Sequence, residues 1–304
     1  MTESDTSRRI AVIGLGSMGL GMARSLLRAG FTVAGCDVSD AAGARLEEAG
    51  GIRAPSPARA AEGAHCVVAV VVNAEQTEAV LFGPDGCAAS MPEGAVFVSS
   101  ATMSPSAARS LAGRLEAMGR LYLDAPMSGG AARAADGKLT MLASGSRAAF
   151  DRARPALQAM TETLYELGDA PGQGAAFKMV NQLLAGVHIA AACEAIAFAA
   201  RQGLDLARVY EVITSSAGSS WMFANRIPHV LEGDYAPKSA VEIFTKDLGI
   251  VLDMARETKF PVPVAGTALQ MFLMTAAVGM GRDDDSSVAR LYAQLAGLDL
   301  PVKA

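Results

Sequence analysis

Histidine and cysteine are too few and too scattered in this chain to build a metal centre or a disulfide framework. The three histidines, His65, His188 and His229, stand far apart and without ligand spacing, so no metal is expected. The four cysteines, Cys36, Cys66, Cys87 and Cys193, form no CxxC pair. They sit mostly in apolar runs, where a free thiol behaves as a small hydrophobe. Basic clusters are missing too, and 26 Lys and Arg against 31 Asp and Glu leave a net charge of −5. That balance argues against a nucleic-acid partner. Met1 to Arg9 is polar and leads straight into an apolar run, which reads as no secretory signal and a cytoplasmic location. Leu183 to Ala200 has the length of a membrane helix. It is dominated by alanine and carries His188 and Glu194, so we expect a buried interdomain or intersubunit helix and no membrane partner.

What the chain does have is a glycine signature near its start. Ile10 to Ile13 is a short apolar strand pattern that breaks into Gly14-Leu15-Gly16-Ser17-Met18-Gly19 and then into a helical pattern to Ala29. Gly14 permits the tight strand-to-helix turn, Gly16 lets a pyrophosphate approach the backbone, and Gly19 allows close helix–strand packing. The helix N-terminus offers free N–H groups to phosphate. Glycine-rich turns without a ligand share this pattern, but here an acid, Asp37, also closes the next strand. A carboxylate there accepts from the adenosine ribose hydroxyls and repels a 2′-phosphate, and no cation follows until Arg45. NAD is therefore expected over NADP. Asp37 could equally end the strand or cap the next helix.

At 304 residues two domains are expected. Strand patterns at Ile10–Ile13, Thr32–Cys36, Cys66–Val72, Ala95–Ser99, Leu121–Asp124 and Thr163–Glu166 alternate with helical ones at Ser17–Ala29, Ala41–Glu48, Ser106–Met118 and Arg147–Ala159. Such alternation specifies a mostly parallel sheet covered on both faces. Ligands bind beyond the carboxyl ends of such strands, which puts Asn73 and Thr102 on the cofactor side; both could be ordinary turn residues. After Gly168 the strand signals stop. Gln173 to Gln202 reads as one helix of roughly 45 Å, followed by helical stretches at Leu206–Ser216, Ser239–Thr258, Val264–Val278 and Ser286–Ala296. The expected fold is α/β: a Rossmann-type doubly wound parallel sheet over residues 1–167, then an all-α domain over 168–304 built on a long interdomain helix.

Three further segments are candidates for chemistry. In Asp124-Ala125-Pro126-Met127-Ser128-Gly129-Gly130 the serine and paired glycines expose backbone N–H groups suited to a small carboxylate; alone, it is a turn. Lys178, Asn181 and Gln182 share one helix face, and His188 continues that stripe. Lys246-Asp247 opens another helical run, and by spacing alone would be a solvated face.

Together these motifs resemble the β-hydroxyacid dehydrogenase family, which includes 3-hydroxyisobutyrate dehydrogenase and tartronate semialdehyde reductase. The likeness covers essentially the whole chain. It implies Lys178 as catalytic acid/base, Ser128, Gly129, Gly130 and Asn181 as substrate ligands, and Thr102 and Lys246 at the nicotinamide half of NAD. Gly14, Leu15, Gly16, Met18, Gly19, Asp37 and Asn73 complete the expected cofactor contacts. Ser99 stands where the family often has aspartate, and Gln182 replaces the second asparagine of the 3-hydroxyisobutyrate type. Within the family, Gln182 to Ala192, Ala217 to Arg226, Gly233 to Ala240 and Phe244 to Leu248 favour L-threonate as substrate, oxidised at C2 to 2-dehydro-L-erythronate.

In that reaction the hydroxyl proton passes to Lys178, which accepts it only when neutral; desolvation or a nearby cation such as Lys246 would favour that form. Gln182, His188, Ser219, Ser220 and Asn225 are further candidates for the substrate hydroxyls. Trp221 could wall off water or simply pack. Other readings are a sibling hydroxy-acid activity, a non-catalytic NAD-binding sensor, imine reduction and a methyltransferase. Lys178, the Ser128–Gly130 turn and Asn181 count against the sensor, Lys178 against imine reduction, and the helical half against a methyltransferase. The alanine-rich face of Leu183–Ala200 suits a homodimer or homotetramer.

Overall fold

The computed structural model describes residues 9–301 and residue 303. Met1 to Arg8, on which the reading of no secretory signal largely rests, lies outside the described residues. The chain divides into two compact units, with the border between Lys178 and Met179.

The first unit carries six parallel strands in the order β3-β2-β1-β4-β5-β6. These are β1 (Arg9–Ile13), β2 (Thr32–Cys36), β3 (Ile52–Arg53), β4 (Cys66–Ala69), β5 (Val96–Ser99) and β6 (Leu121–Asp124). Alternate residues of the central strands feed opposite faces. Ile10 and Val12 of β1 join an apolar cluster with Met22 and Leu26. Ala11 and Ile13 join another with Leu81, Leu111 and Leu115. The helices between the strands are α1 (Ser17–Arg28), α2 (Asp40–Glu48), α3 (Pro57–Ala61), α4 (Ala74–Phe82) and α5 (Pro105–Glu116). Ser104 starts α5 by accepting from Ala107 N, and Pro105 supplies the first-turn φ.

Thr163–Glu166 does not continue this sheet. It belongs to β9 (Thr161–Glu166) of a separate three-stranded sheet with β7 (Met127–Ser128) and β8 (Leu139–Ala143). β6 is an edge strand, and the chain leaves it at Pro126 to pair β7 antiparallel with β8. Between them lie α6 (Gly130–Asp136) and α7 (Arg147–Met160). The strand expected to reach Val72 ends at Ala69, where Val70 N makes its last sheet bond to Ile13 O.

Helix α8 (Gln173–Arg201) crosses the border between the units. The second unit continues with α9 (Leu206–Thr214), α10 (Trp221–Glu232), α11 (Val241–Glu257), α12 (Pro263–Thr275), a π segment at Ala276–Met280, a 3-10 turn at Asp285–Ser287 and α13 (Val288–Ala296). α10 is absent from the expected elements because Pro228 interrupts its pattern; Ser220 caps its start and Gly233, at φ 63°, ends it. Ile189, Cys193 and Ile196 of α8 pack with Phe223, Phe244, Leu248, Phe272 and Val288. The Phe244 and Phe272 rings stack at 5.2 Å. Two helical stretches, Gln173–Arg201 and Pro263–Met280, are long and apolar enough to cross a membrane, and both supply residues to this core.

Candidate active site

The loop after β1 has the geometry its glycines require. Gly14 sits at φ +89°, and a Cβ there would lie 2.3 Å from Val70 O. A Cβ on Gly19 would fall 1.8 Å from Gly14 O. Gly16 differs: nothing lies within 4 Å of its Cβ position, and it is exposed at the N-cap of α1. Leu15 is buried, and Met18 is half-buried at the start of α1. At the end of β2, Asp37 Oδ2 accepts from Leu15 N at 2.6 Å and Oδ1 from Ser39 N at 2.8 Å. The acid therefore braces the glycine loop. An open approach at Gly16, a helix N-terminus behind it and a carboxylate at the neighbouring strand end fit the pyrophosphate and ribose of a dinucleotide.

Asn73 caps α4, its Oδ1 accepting from Gln76 N at 2.9 Å, while Gln76 Oε1 accepts from Val72 N at 2.9 Å. This is the turn role weighed for it, with Gln76 reaching back past the cap to the preceding N–H. Thr102 is half-buried, three residues past β5, and Ser99 is fully buried at the end of β5.

Lys178 and the Ser128–Gly130 turn come together. Lys178 is buried on α8, and its Nζ donates to Met127 O at 2.8 Å. Gly129 and Gly130 follow with φ of +139° and +78°, so the turn needs glycine at both positions. Ser128 and Gly129 are half-buried and Gly130 exposed.

Asp124 anchors this arrangement, a role the sequence did not disclose. Its buried Oδ2 accepts from Ala175 N at 2.8 Å and Gly172 N at 3.0 Å, and from Ser144 Oγ at 3.3 Å. Ser144 Oγ in turn accepts from Gly174 N at 2.9 Å. The orphan N–H groups at the start of α8 thus end on β6 and the loop after β8. Gly174 has no room for a side chain, since a Cβ would meet Leu142 O at 2.3 Å. Burial pushes the Asp124 carboxyl up to about 6, against the pull of these donors. The only sequence signal was an acid closing a strand just ahead of Pro126.

In the second unit, Asn181 Nδ2 donates to Gln182 Oε1 at 2.9 Å, and Gln182 Nε2 donates to Asp247 Oδ2 at 2.5 Å. Lys246 pairs with Asp247 Oδ1. Asp247 is 1% exposed, so Lys246-Asp247 is no solvated face. Gly186 permits the close approach of α8 and α11; a Cβ there would lie 2.9 Å from Leu248 Cδ1. His188 is half-buried. Ser220 Oγ accepts from Phe223 N as the α10 cap, and Asn225 Oδ1 accepts from Arg226. Trp221 is 66% exposed, so within this chain it is not a packing residue.

A parallel six-stranded sheet with this loop, acid and buried lysine defines the class of NAD(P)-dependent dehydrogenases. Residues 9–168 match the family model described as the NAD binding domain of 6-phosphogluconate dehydrogenase, and residues 172–292 match the model described as NAD-binding of NADP-dependent 3-hydroxyisobutyrate dehydrogenase. The chain is 53% identical over 298 residues to the L-threonate dehydrogenase of Cupriavidus necator, covering 98% of this chain and 99% of that protein. It is 33% identical over 292 residues to the 3-hydroxyisobutyrate dehydrogenase of Pseudomonas aeruginosa, covering 93% and 98%. The crystal structure of a 3-hydroxyisobutyrate dehydrogenase from Salmonella typhimurium superimposes with a TM-score of 0.89 at 48% identity, covering 93% and 99%. The chain belongs to the 3-hydroxyisobutyrate dehydrogenase-type β-hydroxyacid dehydrogenase family.

Proposed function

We propose that this protein oxidises L-threonate at C2 to 2-dehydro-L-erythronate, with NAD as its cofactor. The observation that carries the reading is the 2.8 Å bond from Lys178 Nζ to Met127 O, which sets an amine beside the Ser128–Gly130 turn. The 53% identity to an L-threonate dehydrogenase supports the choice of substrate. NAD, when bound, supplies the acceptor for the C2 hydride. Ser128, Gly129 and Gly130 hold the substrate carboxylate through the hydroxyl and backbone N–H groups. Lys178 in its neutral form takes the C2 hydroxyl proton, and Asn181 holds a further substrate group. Gly14, Leu15, Gly16, Met18 and Gly19 take the pyrophosphate half of the cofactor, Asp37 the adenosine ribose, and Asn73, Thr102 and Lys246 the remainder. Asp37 supports NAD over NADP, because a carboxylate repels a 2′-phosphate and Val38 to Ala42 bring no cation.

On this reading, residues 1–167 serve the dinucleotide, and residues 168–304 serve the substrate and assembly. A homodimer or homotetramer is supported by exposed Phe177, Val180, Leu184 and Phe198 along α8. The four cysteines are unpaired and buried, in keeping with a reducing cytoplasm. The sibling readings are oxidation of 3-hydroxyisobutyrate, supported by the 48% identity to the Salmonella typhimurium protein, and reduction of tartronate semialdehyde.

A panel of L-threonate, 3-hydroxyisobutyrate and tartronate semialdehyde, each with NAD(H) and NADP(H), tests the proposal. The highest kcat/KM is expected for L-threonate with NAD. A higher value for either sibling substrate, or for NADP, overturns that part of the assignment. Cofactor binding without turnover of any of them would favour a sensor.

A further inference from the structure

We propose that Asp247 fixes the polarity with which Asn181 meets the substrate, so that Asn181 presents its carbonyl oxygen and selects a hydroxyl donor. The inference deepens the proposed function and rests on it for the identity of the substrate. The relay beneath it comes from the hydrogen bonds alone.

Asp247 is buried and paired with the Lys246 ammonium through Oδ1. A carboxylate accepts and cannot donate, so the group facing Oδ2 must be a donor. Gln182, 7% exposed, meets it at 2.5 Å and therefore turns its amide nitrogen inward. Its Oε1 is left facing Asn181 and accepts from Asn181 Nδ2 at 2.9 Å. One of the two Asn181 N–H groups is thereby fixed on Gln182, and the exposed Asn181 side chain keeps Oδ1 as its free acceptor. Reversing Gln182 would set its carbonyl oxygen against Asp247 and leave two buried groups unsatisfied.

The length of Gln182 is part of the device. An asparagine would be shorter by one carbon–carbon bond, about 1.5 Å, and would fall short of Asp247 at the observed helix spacing. Asn181 stands three residues beyond Lys178, on the same face of α8. An outward carbonyl there attracts an O–H and disfavours a second carboxylate. The class selected is a polyhydroxy acid carrying a hydroxyl besides the one that reacts.

Two substrates separate this role from a merely structural one: L-threonate, and the 2-hydroxybutyrate of matching C2 configuration, which keeps the carboxylate and reacting hydroxyl but lacks the others. In Asp247→Asn the donor order along the relay is lost. The preference for L-threonate over 2-hydroxybutyrate, as a ratio of kcat/KM values, should fall about tenfold; a loss passed through Lys246 to the cofactor falls on both acids alike and leaves that ratio unchanged. The double variant Gln182→Glu/Asp247→Asn restores that order. The amide introduced on α11 donates to the carboxylate introduced on α8, and that carboxylate accepts from Asn181. The double variant should return the ratio to within about threefold of the parent.

Equal losses on both substrates, or a double variant that fails to recover the preference, overturn the proposal. A wild-type protein that oxidises neither acid overturns the assigned reaction instead. The relay is then decided by side-chain amide NMR of the wild type. The Gln182 Nε2 protons should include one shifted downfield by the carboxylate and lost in Asp247→Asn. No such resonance would end the inference.

Discussion

Lys178 Nζ lies 2.8 Å from Met127 O, the carbonyl that immediately precedes Ser128. A residue on α8 and the start of the double-glycine turn, some fifty positions apart in the chain, are thereby one unit. If this amine is the acid/base, Lys178→Ala should lower kcat by about 10²–10⁴-fold. The glycine loop is untouched, so the dissociation constant for NAD, read by fluorescence titration, should stay within about threefold of the parent. Turnover within about tenfold of the parent would take Lys178 out of the chemistry.

The glycine loop makes a sharper separation. Gly16 has open space where a Cβ would go, whereas Gly19 would place one 1.8 Å from Gly14 O. Gly16→Ala should therefore leave the thermal midpoint within about 2 °C of the parent; if the pyrophosphate approaches there as proposed, the new methyl should weaken dinucleotide binding. Gly19→Ala should lower both. Equal midpoints for the two variants would show that the helix N-terminus yields more freely than its packing suggests.

Much of the nucleotide half was legible because its determinants are local. Gly14, Gly16, Gly19 and Asp37 lie within 24 residues, and each reports a backbone or strand-end constraint that the order of residues carries by itself. Lys178 and Ser128 were legible as separate motifs, but the bond from Lys178 to the Met127 carbonyl ahead of Ser128 was not, since it depends on how α8 returns to β7. Asp124 and Asp247 were hidden for a different reason. Each is an acid whose partners lie far along the chain, Ala175 for one and Gln182 for the other. An aspartate beside Lys246 ordinarily marks solvent, and only the buried face of α11 shows otherwise. Secondary structure failed where the pattern was broken or short. Pro228 masked α10, and the five residues of β8 between Lys138 and Ser144 were too few to register as a separate sheet.

Asp124 should make stability depend on pH in an identifiable window. Burial raises its folded-state pKa to about 6, from an ordinary value near 3.8. The folded protein then holds a proton that the unfolded chain releases, so the contribution is complete below about pH 4 and is lost as pH rises through 6. Asp124→Asn keeps the neutral shape and does not titrate. Relative to this variant, the wild type should lose on the order of 3 kcal/mol between pH 4 and pH 7, since each pKa unit corresponds to about 1.4 kcal/mol. Urea unfolding of both proteins across that range reads the difference. A constant offset would mean that the α8 amides hold the carboxylate ionised throughout.

Arg226 and Asp285 form a two-pronged pair inside the helical unit, Nε to Oδ1 at 2.6 Å and Nη2 to Oδ2 at 3.1 Å. Both residues are buried, and the pair stands beside Asp284, which is itself held by His229 and Ser286. A buried ion pair adds little net stability over a well-packed apolar substitute, but removing one member strands the other charge at a cost of about 3–5 kcal/mol. Asp285→Ala should fall in that range, measured by guanidinium unfolding. The double change Arg226→Met/Asp285→Leu should recover most of the loss by removing the stranded guanidinium as well. A double variant as unstable as Asp285→Ala would show that Asp285 acts through its neighbours in the Asp284–Ser287 turn, and that the guanidinium itself costs little when left alone.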